Sequence, residues 1–544
     1  MTTPMTFDDV SREVVKDFLQ SVVLIDDQAY FGEEPLPNLL PQLVSPGPGD
    51  AQTAKSEERK TIDAERRSHK LNAKLMIEVF AERGLVCGVL KPQSPQTLAE
   101  LMKQTLPAVR RADIVIIDWM LEGTIGNALE TIRSIIDADE KDCVGLRLIA
   151  IYTGERDLSD IVKQLKKNLS NFDYINKDIN SLSLTNGWAR IAVYAKEDTK
   201  VKSSLKDRVF KIDQLPDELI KEYTETTKGL VPNVALASLA ALRRYTHLLL
   251  EKMSAKLDAS YLAHRVSIEH PDDAAELLVN IVGAELQSII DQSEAADQVN
   301  LKNILLWFES QQFDYNKQFA PITSENWPNV IRELIAKGHQ HQDVKPYFAV
   351  EGKQGLGQKK KSAKQFSKEL NTDEAEYDLA MLTTLKTRYD TPPPVLTLGQ
   401  ILQITGEENG TFWICVQPPC DSVRIKEDKR AFPLLPMKKI PAGSKDENNV
   451  FLIRDYDKNY IHLKPECDHY KCQMVEFITD PVAHQVIATK RENGTFCFTS
   501  EQQVCYDWIA QLKQDSAQHV ANEYAGTISR VGRDISEWLR TYPK

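Results

Sequence analysis

The stretch ADIVIIDWMLEGTIGNALETI, residues 112–132, decides how this chain is read. Ile114 to Ile117 form an unbroken apolar, largely β-branched run, the pattern of a strand covered on both faces, and the run stops at Asp118. Ile125, Ala128, Leu129, Ile132, Ile135 and Ile136 then repeat at helical spacing, so strand, turn and helix follow one another as a βα unit. A carboxylate at the C-terminal end of such a strand faces the crevice where doubly wound sheets hold their ligands.

The same pattern occurs on both sides of that stretch. An amphipathic helix with Val10, Val14 and Phe18 leads into SVVLIDDQ (21–28), a strand that ends in Asp26 and Asp27. Residues 32–60, rich in proline, glycine and charge, read as an inserted loop, and 61–83 read as helix. GLVCGVLK (84–91) is the second strand, followed by a helix that Ser94 and Pro95 would open. After the third strand, at 114–117, LRLIAIYTG (146–154) gives a fourth that ends at Thr153, with a helix from 158 to 169. NFDYINKDINSLSLTNG (171–187) reads as a polar, irregular segment, and WARIAVYAKED (188–198) as a fifth strand ending at Lys196. Strands and helices alternating at these lengths predict an α/β fold, a doubly wound parallel sheet of five strands of the flavodoxin-like type, over residues 1–230 with an insertion at 30–60.

Residues 231–390 read as mainly helical with a basic linker, GKQGLGQKKKSAK (352–364). Leu239, Leu242, Thr246, Leu249 and Met253 form one helical stripe, and Leu278, Val282, Leu286 and Ile289 another. Two heptads fit either a bundle packed within the protein or a seam between two copies, a possible homodimer through the helical region. The three prolines of DTPPPV (390–395) mark a boundary. Beyond it, 391–544 reads as a β-rich module, with type I′ hairpins expected at Asn409-Gly410 and Asn493-Gly494. A long closing helix is expected to carry Trp508, Leu512, Val520, Tyr524, Ile528 and Trp538.

At 544 residues the chain exceeds what one core serves, and about three or four domains are expected. A net charge of −12 speaks against wrapping nucleic acid and favours protein partners. No run approaches the roughly 18–20 apolar residues of a membrane span, and no signal peptide opens the sequence. Eight cysteines in such a length form no disulfide scaffold and fit a reducing, cytoplasmic setting.

In a doubly wound sheet the strand ends converge, bringing Asp26, Asp27, Asp118, Thr153 and Lys196 to one crevice. Three carboxylates so placed repel, each pair by on the order of 4 kcal/mol at about 4 Å and an effective dielectric of about 20. A divalent cation relieves the conflict, and all-oxygen ligation suits Mg²⁺. The parts fit phosphoryl transfer: Asp118 as nucleophilic acceptor, Asp26 and Asp27 with the Met120 carbonyl as further metal ligands, Thr153 as switch hydroxyl and Lys196 as the phosphate's cation. Lys177 in YINKD is the alternative lysine.

At these residues the sequence resembles the receiver domain of two-component response regulators. VVLIDD, DIVIIDWML, IAIYTG and IAVYAK follow, in order, that family's acid pair, phosphoacceptor, hydroxyl and lysine, over about residues 20–230. The resemblance implies a histidine kinase as partner, Mg²⁺ as cofactor and, at most, slow self-dephosphorylation rather than metabolic catalysis. The wider layout, including CVQPPCDSVRI (415–425) and SRVGRDISEWLR (529–540), resembles the receiver proteins of Detocs-type two-component-like phage-defence systems. That resemblance implies a phosphate buffer beside a second receiver protein. An inactive pseudo-receiver used for docking, a phosphorylation-switched effector and a DNA-binding regulator are the alternatives. A haloacid-dehalogenase-like phosphatase needs a second acid two residues after its nucleophile, where Met120 stands.

Other constellations weigh less. Cys415, Cys420, Cys467 and Cys472 with His469 form a loose zinc set without a tight knuckle, against ordinary strand and loop cysteines. GKQGLGQKKKS has Gln358 where a phosphate loop needs lysine. His247, His264 and His270 lie in helical territory, where one could relay phosphate, although lone helical histidines are more often simply packed or exposed.

Overall fold

The computed structural model describes residues 5–32, 70–92, 97–121, 125–142, 145–175, 178, 181–311, 327–348, 373–389, 392–406, 410–441, 449–455 and 459–528. The inserted loop, Lys177, the basic linker, Asn409 and Trp538 lie outside them. Two compact units emerge, Met1–Asp314 with Glu325–Gly338, and Tyr315–Ser324 with His339–Lys544. The expected regions 1–230 and 231–390 do not coincide with compact units, because helices beyond 230 pack onto the first helix of the chain.

The first unit runs α1 (Phe7–Phe18), β1 (Ser21–Ile25), α2 (Ala73–Ala81), β2 (Val86–Leu90), α3 (Leu98–Val109), β3 (Ile114–Ile117), α4 (Ile125–Asp142), β4 (Arg147–Thr153), α5 (Leu158–Asn168), β5 (Ala189–Lys196), α6 (Leu215–Thr227) and α7 (Leu230–Arg244). The five strands pair in parallel in the order β2-β1-β3-β4-β5, so the order reverses between β1 and β3 and opens a crevice at their C-terminal ends. Every residue of β3, β4 and β5 is buried, as their unbroken apolar runs demand. Ile114 and Ile116 face a layer of α1, α2 and α6, while Val115 and Ile117 face α3, α4 and α5.

Local chemistry fixes the helix starts. In α1 the Thr6 hydroxyl accepts from Asp9 N at 3.2 Å while Asp9 Oδ2 accepts from Thr6 N at 2.9 Å, a reciprocal cap. In α3 the same box joins Thr97 and Glu100, so Thr97 sets the start, downstream of the expected Ser94 and Pro95. At the opposite end of the sheet from the crevice, Asp113 Oδ2 accepts from Gln20 N at 2.8 Å and Ser21 N at 3.1 Å, tying β1 to β3.

The sheet is wider than the five strands expected. Among the described residues it has eight, because the segment expected to be irregular supplies Asp173–Tyr174 and Ser183–Thr185, which add antiparallel beyond β5. Val209–Phe210 also pairs in parallel with Ala195 and Lys196. Two- and three-residue strands carry too short an alternation to show in sequence.

The second unit is β-rich. Its strands β6 (Gln400–Ile404), β7 (Phe412–Cys415), β8 (Lys429–Ile440), β9 (Gln473–Ile478), β10 (Phe496–Thr499) and β11 (Cys505–Gln511) pair in the order β9-β8-β7-β6-β11-β10. A bridge from Phe477 to Ser500 returns the last strand to the first, closing a barrel around Leu402, Cys415, Phe432, Leu434, Phe477, Phe498 and Tyr506. The Asn493-Gly494 turn is not type I′. Gly494 has φ +82°, but the Asn493 side chain accepts from Thr495 N at 3.1 Å and holds a turn in which glycine alone is left-handed. Trp508 belongs to β11, and the described closing helix starts only at Gln514 and is followed to Ile528.

Gly399 precedes β6 with φ +83°, and a Cβ there would meet the Ala517 Cβ at 2.7 Å and the Leu512 Cβ at 3.3 Å. Gly399→Ala combines a left-handed backbone with overpacking and is expected to cost this unit about 2–4 kcal/mol, read by calorimetry as a lowered transition for the unit. An unchanged transition would mean the closing helix yields freely.

Candidate functional site

β1 and β3 end side by side, with Asp118 N donating to Ile25 O at 3.1 Å. This ladder places Asp118 beside Asp26 and Asp27, and ligand oxygens of the three lie within 4.8 Å of one another. Two strands further along, Lys196 reaches back: its Nζ stands 3.0 Å from Asp26 Oδ2 and 3.3 Å from Asp118 Oδ2. Asp26, Asp118, Thr153 and Lys196 are buried and Asp27 is half-buried. Thr153 closes β4 opposite Ala195, and its hydroxyl accepts from Glu155 N at 3.2 Å. Trp119 and Met120 turn into the layer of α3, α4 and α5, Trp119 fully buried.

Electrostatics at this cluster are unbalanced. Burial, assisted by the charge of Asp118 and opposed by Lys196, pushes the Asp26 carboxyl up to about 6. Burial also works against the Lys196 ammonium, yet Asp118 and Asp26 outweigh it and hold its pKa above the ordinary lysine value. Three carboxylates and one ammonium leave a formal charge of −2. Asp118 Oδ1 is buried without a hydrogen-bond partner, which is costly unless something positive approaches it. A hard divalent cation fits both the residual charge and that orphan oxygen.

Residues 18–201 match the family model of the response receiver domain. The match spans the strands that carry Asp26, Asp27, Asp118, Thr153 and Lys196 and stops short of α6. No curated protein and no solved structure matches the chain. Receiver domains are response-regulator-type phosphoacceptors that typically bind Mg²⁺ at an acidic pocket, and Asp26, Asp27 and Asp118 form an acidic cluster within the matched residues. Among the described residues no helix is long and apolar enough to cross a membrane.

Two features of the receiver escaped sequence reasoning. Lys91, first residue after β2, donates from Nζ to Ala29 O at 2.7 Å beside the acid loop. The strand-end rule applied to β1, β3, β4 and β5 would also have found it at β2. Tyr152 donates to Phe210 O at 2.9 Å, linking β4 to the strand that pairs with Lys196. A two-residue strand gives no warning of that bond.

The lesser constellations do not assemble. Among the described residues, no metal-sized group contains Cys415, Cys420, Cys467, Cys472 or His469. Burial pushes the Cys415 and Cys467 thiols up to about 12. His247, His264 and His270 stay outside the acidic cluster.

Proposed function

We propose that Asp118 accepts a phosphoryl group from a phosphohistidine on a partner kinase, and that the protein serves as a phosphate sink or buffer in a bacterial anti-phage signalling system. One observation carries the acceptor role: the buried Asp118 oxygen without a partner, set among two further acids and a lysine. In the transfer an Asp118 oxygen bonds to phosphorus as the P–N bond to the donor imidazole breaks, and the imidazole retains the electron pair and takes up a proton. Asp26, Asp27 and Asp118, with the Met120 carbonyl, would hold Mg²⁺, which supplies neutralisation of the phosphoryl oxygens. Lys196 moves its ammonium from the Asp118 carboxylate to the phosphoryl group, and the Thr153 hydroxyl turns from Glu155 N toward a phosphoryl oxygen. The buffer role rests on the layout resemblance, with a second receiver protein sharing the kinase.

A second reading has its own support. Lys196 already bridges two of the acids, so the site is partly neutralised without a cation and suits a pseudo-receiver that only docks proteins. Intact mass after incubation with Mg²⁺ and a competent kinase separates the two. The parent is expected to gain about 80 Da, one phosphoryl group, and Asp118→Asn nothing. No gain in the parent supports the docking reading. A phosphorylated parent that leaves the partner receiver's phosphate level unchanged removes the buffer role and favours a switched effector.

A further inference from the structure

Asp26 and Asp27 are only as well placed as the turn that follows β1. Gln28 N donates to Asp26 Oδ1 at 2.7 Å, and Ala29 N donates to Asp26 O at 3.4 Å, so residues 26–29 close on themselves. The carboxylate oxygen used in this turn is not the one that Lys196 takes, Oδ2 at 3.0 Å. Ala29–Tyr30 then pairs in parallel with Leu71–Asn72, with Ala29 and Leu71 buried.

Lys91 ties the far end of this turn. Ile25 pairs with Leu90 and Asp26 N donates to Leu90 O at 3.2 Å, so Lys91 leaves β2 at the level where Asp26 leaves β1. Pro92 follows, buried, and its ring keeps the preceding residue extended, so Lys91 prolongs the line of the strand. From there its Nζ donates to Ala29 O at 2.7 Å. In the order β2-β1-β3-β4-β5 the two lysines flank the acids from opposite sides. Lys196 bonds carboxylates, whereas Lys91 bonds the backbone that carries them.

A lysine in this place has two opposed effects on a cation among the acids. Its charge repels the cation, while its bond fixes the turn that presents Asp26 and Asp27. Lys91 is exposed, so water and salt screen its charge. The bond acts directly, on a carbonyl three residues from Asp26. Groups that orient metal ligands from outside are worth about 10–100-fold in affinity. The bond therefore outweighs the charge.

We propose that Lys91 is a positioning residue of the phosphoacceptor site: by holding Ala29 O it keeps residues 26–29 in the conformation that lets Asp26 and Asp27 share a divalent cation with Asp118. This inference rests on the phosphoacceptor reading and adds to it a residue that touches neither cation nor phosphate.

The test is calorimetric titration of the full chain with Mg²⁺ at about pH 8, where Asp26 is ionised, with urea melts in a chelator as the folding control. Lys91→Met is expected to bind Mg²⁺ at least about tenfold more weakly than the parent with the same urea midpoint. Lys91→Arg, which keeps a cationic donor of similar reach, should recover most of that affinity. Saturating Mg²⁺ should return phosphate uptake by Lys91→Met to the parent's level. Equal or tighter binding by Lys91→Met overturns the proposal, because it leaves Lys91 as a charge alone. Uptake that saturating Mg²⁺ does not restore overturns it too, making Lys91 a contact of the phosphoryl group. Should Lys91→Met unfold, Lys91→Gln, neutral and too short for the carbonyl, takes its place. A parent that binds no Mg²⁺ removes the phosphoacceptor reading and this inference with it, whereas a parent that binds and a variant that matches it remove the inference alone.

Discussion

Asp26→Asn is expected to give a protein that resists urea better than its parent and takes up no phosphate. The Asp26 carboxyl ionises at about 6 in the fold, against an ordinary 3.8 in the open chain, because burial and the neighbouring Asp118 charge outweigh Lys196. The folded state therefore binds this proton more tightly than the unfolded state. The resulting stability is fully present below about pH 4 and is lost as pH rises through 6. At pH 8, without metal, the ionised carboxylate works against folding by on the order of 2–3 kcal/mol. Asparagine keeps the shape and removes that charge, while Lys196 retains Asp118 as its partner. Urea melts in a chelator should show the variant ahead at pH 8, with the gap closing toward pH 4. A variant weaker than the parent at pH 8 would show that the Lys196–Asp26 bridge outweighs the burial of its acid. Since protons and cation compete for Asp26, Mg²⁺ affinity in the parent should fall as pH drops below 6.

Arg147→Met has the largest expected effect on stability. Arg147 starts β4 with its side chain 2% exposed, and its guanidinium holds Asp139 through two bonds, Nε to Oδ2 at 2.5 Å and Nη2 to Oδ1 at 3.0 Å. Its Nη1 donates to the Val109 and Ala112 carbonyls at 2.5 and 2.6 Å. One side chain thus joins the end of α3, the approach to β3, and α4. Methionine fills much of the volume but takes the guanidinium away from a buried carboxylate, and a loss of about 3–5 kcal/mol is expected by chemical denaturation. Adding Asp139→Leu removes that buried charge and should recover part of the loss, since the two carbonyls remain without the Arg147 donor. No recovery would mean the carbonyls, not the ion pair, dominate.

The five parallel strands were legible because each is an unbroken apolar run between helical repeats, and three of the acids and Lys196 followed from their place at strand ends. What escaped were contacts that no period encodes: the short strands beyond β5, the Arg147 hub, and the bond from Tyr152 to Phe210. The stripe at Leu239 and Leu242 is periodic, yet α7 packs on α1 through Leu236, Ala240 and Ala241 instead, leaving Leu239 exposed. Periodicity announces an apolar face, but the shape of the neighbour selects which residues fill it.

The bond from Lys196 to Asp26 spans 170 positions of the chain. At a synthesis rate of about 5–20 residues per second, roughly 10–30 s pass between the acid and its lysine. Throughout that interval a growing chain carries the carboxylates without the cation that balances them. The acidic cluster therefore gains its counter-charge late in translation, after β3, β4 and α5 have been made.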